Sequence, residues 1–490
     1  MRIAKDRGGI GDSVCQRSAP AEGHFRCTIA SNAGAGCLQW RHSLPRANAA
    51  TDSDIRVLKT GRPIHRPFLQ TQSLNEGVSQ RKQIEARSTV SRKSLPIASS
   101  SSSSEEGRAP PQADPSCSSS LNPTIETLTD PFQNHPIPST MPLIAQSPTP
   151  RVILGLMTFG PDEATGARVT SVDDFTKVLD VFQSRGYNEV DTARVYVGGK
   201  QEAWTRAAGW KDRGLTLATK IQYPSEPGKN THDKVLESID VSLTELGTDS
   251  VDLLYLHAAD RATPFAETLS AIDKLHKAGK FVRFGISNFT AFEVAEIVLT
   301  CKYNGWVRPT VYQGMYNAIT RGIEPELIPA CRRYGLDIVV YNPLAGGLFS
   351  GKIKSKDFVP AEGRFSNQSH SGKMYRDRYY RDSTFEALQT VEKAVEKAGL
   401  TFIETALRWV VHHSQLKVKD GNDGVIIGVS SAEQLEENLT ALEKGPLPGE
   451  VVQALDQAWQ IAKPDAVQYW HKELKYDYDT REALFGKDAK

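Results

Sequence analysis

Four residues able to hold or move a proton, Asp191, Tyr196, Lys220 and His257, each follow a short apolar run and precede turn-like sequence. The runs are residues 188–190 before DTARVY, 215–218 before TK and 251–256 before HAAD. Singly, such residues end many strands as caps or surface charges. Together they suit the reduction of a carbonyl, which needs a hydride from one side and a proton delivered to the developing oxyanion. A tyrosine hydroxyl can supply that proton, although its ordinary pKa of roughly 10 is high for a general acid at neutral pH. A neighbouring ammonium lowers it, and every tenfold gain in acidity corresponds to about 1.4 kcal/mol. Lys220 is the ammonium available, and Asp191 could hold it in place. His257 would then orient the carbonyl oxygen through a hydrogen bond.

These residues need elements that bring them to one place. Eight strand candidates run from Val152: residues 152–158, 188–192, 215–221, 251–257, 282–287, 310–316, 337–342 and 424–429. Their Val, Ile and Leu content suits strands buried on both faces. Between most of them lies an amphipathic stretch of helical period. Val235, Ile239, Leu243 and Leu246 share one face while Glu237, Asp240 and Glu245 fall elsewhere, and Gly247 suits a C-cap. Residues 175–185, 265–277 and 292–300 repeat the pattern, with Gly186 and Gly279 as stops. Eight β/α units in about 300 residues predict a closed (β/α)8 TIM barrel, with ligands beyond the strands' carboxyl ends. An open doubly wound sheet is the competitor, but its Gly-rich fingerprint is missing after the first strand, where GPDEATGAR stands.

The chain has 490 residues and a net charge of +1, unevenly divided. Residues 1–140 carry 17 Lys/Arg against 12 Asp/Glu, leaving 42 against 46 for residues 141–490. The first part holds the serine runs 99–104 and 118–120 with repeated prolines and no sustained period, which predicts a disordered extension. Residues 141–490 suit one barrel domain, and Met141 stands where ordered sequence begins. No run approaches the roughly 18 apolar residues of a membrane helix, and the N-terminus lacks a secretory apolar core. A cytoplasmic location is expected, with mitochondrial import the lesser alternative. Only Cys301 and Cys331 of the six cysteines fall in the globular part, and no metal-ligand spacing occurs. Neither a nucleic-acid nor a membrane partner is indicated.

Further clusters follow the later strands. Ser287, Asn288 and Gln313 offer neutral donors and acceptors suited to a carboxamide, with strand-end capping as the alternative; Tyr341 could stack a planar ring or pack the barrel. Ser430 and Ser431 open a helix whose free N–H groups could hold an anion, or they simply cap it. A long segment from Leu344 to about Asp382 reads as an irregular functional loop containing AGGLFSGK, GRF and MYRDRYY.

In order along residues 151–440, the stretches LGLMTFG, DTARVY, ATK, LYLHAADRATP, GISNF, VYQGMYNA, YNPLAGGLFSGK, GRF, YRDRYY and IIGVSSAEQLEENL resemble the aldo-keto reductase superfamily, and within it the aflatoxin-aldehyde reductase branch. The resemblance implies a barrel that binds NADPH without a Rossmann domain and reduces small aldehydes, dialdehydes or ketoaldehydes. It assigns Tyr196 as proton donor, Lys220 and Asp191 as its tuners and His257 as the substrate-orienting residue. For the cofactor it implies Asp191, Ser287, Asn288, Gln313, Tyr341, Asn342, Pro343, Leu344, Gly346, Gly347, Gly351, Arg364, Ser430, Ser431, Gln434 and Asn438. Tyr375 and Arg378 match substrate-contacting positions, where an arginine suits acidic aldehydes such as succinic semialdehyde. Homodimers are common in the branch. Two departures stand out: Ala259 replaces a usual proline after His257, and SSAEQLEENL holds no Arg or Lys for a 2′-phosphate. A second function class, an NADPH-holding regulatory subunit of the channel β-subunit type, would suit a flexible extension, but the YRDRYY and AGGLFSGK stretches look more like the soluble reductases.

Overall fold

The computed structural model describes residues 149–369 and 371–488, so the disorder expected of residues 1–140 and the domain boundary at residue 141 lie outside the described residues. Eight parallel strands close into one barrel in sequence order: β1 Val152–Gly155, β2 Glu189–Asp191, β3 Thr216–Lys220, β4 Val251–Leu256, β5 Phe281–Ser287, β6 Val311–Met315, β7 Asp337–Tyr341 and β8 Gly424–Ile427. The expected TIM barrel is therefore the fold. Around it run α1 Val172–Ser184, α2 Gln201–Ala207, α3 His232–Leu246, α4 Phe265–Lys277, α5 Ala291–Asn304 and α6 Leu327–Tyr334. After β7 come α7 Gly372–Tyr379, α8 Asp382–Lys397 and α9 Phe402–His412, and after β8 come α10 Ala432–Glu443, α11 Gly449–Ala462 and α12 Thr480–Phe485.

Local chemistry explains the boundaries. Gly247 closes α3 in the left-handed conformation at φ 68, and its N–H returns to the Leu243 and Thr244 carbonyls. At the start of α5, Thr290 and Glu293 form a reciprocal capping box. Two sequence expectations need correcting. The first strand stops at Gly155, not Thr158, because the chain turns there, the Phe159 N–H bonding back to the Leu156 carbonyl. The segment after β7 is not wholly irregular: residues 345–350 form a tight 3-10 turn and MYRDRYY winds largely into α7.

Alternation along the strands decides what enters the barrel. Leu154, Val190, Leu217, Leu254, Phe284, Tyr312, Ile338 and Val425 point outward into the layer shared with the helices. Ile153, Ala218, Leu253, Tyr255, Val311, Val339 and Ile426 point inward and fill the barrel. Large and small residues interlock there: the Tyr255 ring occupies the place that a Cβ would take on its neighbour Gly285. Two residues further along the same inward faces come Asp191 after Glu189, Lys220 after Ala218, Gln313 after Val311 and Tyr341 after Val339. Strand parity thus makes these polar residues the top layer of the barrel, at its carboxyl end.

Candidate active site

The four proton-handling residues converge at this end. Lys220 is buried and makes a short ion pair with Asp191 Oδ1, and Gln313 Nε2 donates to Asp191 Oδ2 at 2.8 Å. The same ammonium donates to the Thr192 carbonyl at 2.8 Å and reaches the Tyr196 hydroxyl at 3.4 Å. It also lies 5.1 Å from the centre of the Tyr196 ring and 5.7 Å from that of Tyr255, within cation–π range. His257, just beyond β4, stands edge-on to Tyr196 with ring centres 5.8 Å apart. Its Nδ1 is buried and has no hydrogen-bond partner among the described residues.

Electrostatics set the protonation states. Burial first, and the Asp191 carboxylate second, push the Tyr196 phenol well above its ordinary pKa. The direction is opposite to that expected from the ammonium alone, because burial disfavours the charged phenolate and the Asp191 carboxylate repels it. Burial lowers the Lys220 pKa while Asp191 opposes the shift. Burial, helped by the Lys220 charge, holds His257 well below its usual value, so the imidazole is neutral at neutral pH. The site therefore presents a protonated phenol beside a neutral imidazole, a pairing fit to donate one proton and to orient its acceptor.

The remaining expected residues divide into three groups around the mouth. Asn288 Nδ2 donates to Ser287 Oγ at 2.9 Å and to the His257 carbonyl at 3.0 Å, and Tyr341 donates to Asn288 Oδ1 at 2.8 Å. Gln313 joins Asp191 rather than this pair. In the turn after β7, the Asn342 side chain accepts from the Gly346 N–H at 2.5 Å and donates to Tyr379 at 2.6 Å, and Pro343 and Leu344 carry the chain between them. Gly346, Gly347 and Gly351 have φ of 72, 107 and 70, so glycine is required there. The Tyr375 ring rests on Gly346, where a Cβ would meet it at 2.6 Å. Arg364 and Arg378 both lie 5.5 Å from that ring's centre, and Arg364 donates to the Tyr375 hydroxyl at 3.0 Å. At the third corner Ser431 caps α10, Gln434 accepts from Ser430, and Asn438 is buried one turn on.

Sequence reasoning missed two residues of the mouth. Tyr223, three residues after Lys220, stands edge-on to His257 at 5.2 Å. His471 comes from the C-terminal segment, hydrogen-bonding distance from Tyr223 (Nδ1, 3.3 Å) and Tyr341 (Nε2, 3.3 Å), while its backbone N–H donates to the Asn288 carbonyl at 3.1 Å. Burial and the Arg378 charge hold His471 down at about 4. Tyr223 follows a strand and could have been flagged as a loop aromatic. His471 lies far beyond the last strand, with no periodic or motif signal to mark it.

Backbone strain gathers at the same place. Among the described residues, the non-glycine positions with positive φ are Val197, Asn288, Asn342, Ala345 and Lys472. The first four follow β2, β5 and β7, and the fifth follows His471. Such conformations persist where the surrounding structure imposes them, and they cluster at functional sites. Among the described residues no cluster of His, Cys, Asp and Glu could hold a metal, and no helix is long and apolar enough to cross a membrane.

A closed parallel barrel thus holds a buried Asp–Lys–Tyr set and a neutral histidine together at its carboxyl end, groups able to hold and pass a proton. The profile of the Aldo/keto reductase family matches residues 151–460, and the chain belongs to that family and is an oxidoreductase. It is similar to the aflatoxin B1 aldehyde reductase member 2 of Rattus norvegicus, 43% identical over 330 residues that cover 66% of this chain and 88% of the relative. It is 43% identical over 332 residues to the aldo-keto reductase family 7 member A3 of Homo sapiens, covering 66% of this chain and 97% of the relative. The aldo-keto reductase pigE of Monascus ruber is 40% identical over 334 residues, covering 65% and 97%.

Proposed function

We propose that this enzyme reduces aldehydes to alcohols with NADPH, and that Tyr196 is its proton donor. The observation that carries the reading is the Tyr196 hydroxyl 3.4 Å from Lys220 Nζ, with Lys220 itself paired to Asp191. When bound, the dihydronicotinamide supplies the hydride. His257 presents its ring N–H to the carbonyl oxygen and aims it toward Tyr196. Tyr196 gives its phenolic proton to that oxygen as the alkoxide forms, and the phenolate left behind is stabilised by the Lys220 ammonium. Asp191 keeps the ammonium in place and Gln313 keeps Asp191 oriented. A proton from solvent restores the phenol.

The chain's residues fit such a cofactor. Ser287 and Asn288 form a neutral polar pair at the base of the mouth, beside Tyr341. Gly428 has no side chain, and the Arg364 guanidinium lies 3.1 Å from where its Cβ would be, beside the first turn of α10. A cation next to free helix N–H groups suits a phosphate. Burial and the like charge of Arg364 lower the Arg168 pKa, so a second guanidinium shares this corner. That cation compensates for the lack of Arg or Lys in SSAEQLEENL. Arg378 lies at the same Tyr375 ring, close enough for its charge to reach Tyr341 and His471, and suits substrates with a carboxylate. The relatives named aflatoxin B1 aldehyde reductase support aldehydes as the substrate class.

Steady-state kinetics of Tyr196→Phe test the assignment. Loss of a general acid costs about 10²- to 10⁴-fold in kcat, with NADPH binding retained. A Tyr196→Phe enzyme that turned over 4-nitrobenzaldehyde at the normal rate would refute it.

A further inference from the structure

The turn that carries Tyr196 is strained at the very next residue. Val197 has φ 50 and ψ 47, Gly198 has φ 61 and ψ 26, and Gly199 has φ 84. The left-handed region crowds Cβ against the backbone, and a β-branched residue is among the least tolerant of it. Glycine occupies the next two positions and meets the requirement freely. A valine at 197 needs something to hold it.

Its side chain supplies the hold. Val197 is 3% exposed and sits against Gly160, where a Cβ would come within 2.7 Å of Val197 Cγ1 and 3.0 Å of Cγ2. Gly160 is not itself in the left-handed region, so Val197, rather than its own backbone, is what requires a glycine there. The Gly160 N–H donates to the Val169 carbonyl at 3.0 Å, which fixes the floor of the socket. On the other side Arg194 grips the turn: it pairs with the fully buried Glu202, donates to the Gly199 carbonyl, and its backbone N–H bonds the Lys220 carbonyl at 3.1 Å. Glu202 is in turn held by Thr219 Oγ1 at 2.7 Å. The turn is clamped at its ends by Arg194 and plugged in its middle by Val197.

We infer that Val197, seated in the Gly160 socket, is a positioning residue that fixes the Tyr196 hydroxyl between Lys220 and His257. The inference rests on Tyr196 being the proton donor. A turn with a glycine at 197 would adopt the same backbone without strain but would lack the buried anchor. The phenol would then sample positions away from Lys220, and an ångström of misplacement in a reacting group can cost about 100-fold in rate.

The test compares the full-length chain with Val197→Gly, Gly160→Ala, the double variant and Tyr196→Phe. Val197→Gly should lower kcat about 10- to 100-fold, with NADPH affinity by fluorescence titration and the thermal midpoint nearly unchanged. The solvent deuterium isotope effect on kcat should rise as proton transfer becomes slower. Gly160→Ala pushes Val197 out of its socket and should likewise lower kcat with NADPH affinity retained, while its thermal midpoint falls because the valine loses its burial and keeps its strain. In the double variant the new methyl enters the space that the valine vacates, so the losses should be less than additive. Wild-type kcat in Val197→Gly, a parallel loss of NADPH affinity and stability, or strictly additive losses would each overturn the lock. If Tyr196→Phe itself stayed active, the proton-donor reading would fail; if it were dead while Val197→Gly ran normally, only the lock would fail.

Discussion

Replacing Arg378 by methionine separates substrate recognition from the chemistry. The guanidinium is partly buried over the Tyr375 ring at 5.5 Å, and its charge reaches Tyr341, Tyr379, Tyr223 and His471. Among the described residues no carboxylate pairs with it, so a substrate carboxylate would be its first anionic partner. A charge-assisted hydrogen bond of this kind is worth about 1.5–3 kcal/mol, or roughly 10- to 150-fold in affinity at about 1.4 kcal/mol per decade. Methionine keeps the apolar stem. Because no buried carboxylate is left behind, the fold should lose little beyond the cation–π contact, about 0.5–1 kcal/mol. The assay is kcat/KM for succinic semialdehyde relative to 4-nitrobenzaldehyde, at one pH and saturating NADPH. The ratio should fall by about 10- to 150-fold in the variant. Equal losses on both substrates would show that Arg378 supports the Tyr375 wall and not the substrate's charge; no loss on either would remove it from the site.

Three further outcomes follow from the buried charges. Lys220→Met leaves Asp191 without its cation and should cost about 3–5 kcal/mol in urea unfolding, whereas adding Asp191→Asn should recover part of it; additive losses would contradict the pairing. His471 has a folded pKa of about 4 against an unfolded value near 6.5, so its stabilising effect is complete above pH 6.5 and is lost as pH falls toward 4. His471→Phe should abolish up to about 3 kcal/mol of that acid sensitivity, seen as converging unfolding midpoints of the two proteins at low pH. Glu296 on α5 is raised to about 7 by burial and by the neighbouring Glu293. Its contribution is present below pH 4.5 and lost as pH rises through 7, so Glu296→Gln should be more stable than the parent at pH 8 by about 1–2 kcal/mol, discounted for partial exposure, and the gain should vanish at pH 4.5.

What could be read before folding was whatever alternation and register dictate. The strands are buried on both faces, so their apolar runs are continuous and each end is within a few residues of its expected place. Asp191, Lys220, Gln313 and Tyr341 follow inward-facing neighbours by two positions, and parity alone gathers them at the mouth. Pairings across the barrel were a different matter. Gln313 reads as a carboxamide partner, yet its amide is engaged by Asp191, three-dimensional information that no spacing carries. The pKa direction of Tyr196 depends on how deeply the phenol is buried, again invisible along the chain. Residues 372–379 hide a helix because their charged and aromatic side chains serve the site wall and give no apolar stripe. His471 arrives on a segment with no strand of its own, held by Arg261, which donates to its carbonyl at 2.8 Å and pairs with Glu293.

The two ends of the barrel are held in different ways. At the amino end the buried charges are matched: Arg151 pairs with Glu189, Arg283 with Asp337 and Arg332 with Asp423, and no strained non-glycine residue occurs among these. At the carboxyl end Lys220 and Asp191 are matched, but among the described residues Arg378 has no carboxylate partner, His257 Nδ1 has no hydrogen-bond partner, and the five left-handed non-glycine residues lie around the mouth. Asparagine tolerates that conformation, so Asn288 and Asn342 cost little; Val197, Ala345 and Lys472 cost more. Opening at either end would break buried ion pairs, but only opening at the mouth would also release left-handed strain. Strain therefore acts at the carboxyl end, and the turn holding Tyr196 carries a β-branched residue in the left-handed region. The proposed acid is thus carried by a strained turn, whose middle is held by the buried Val197 and whose base is clamped by Arg194 and Glu202.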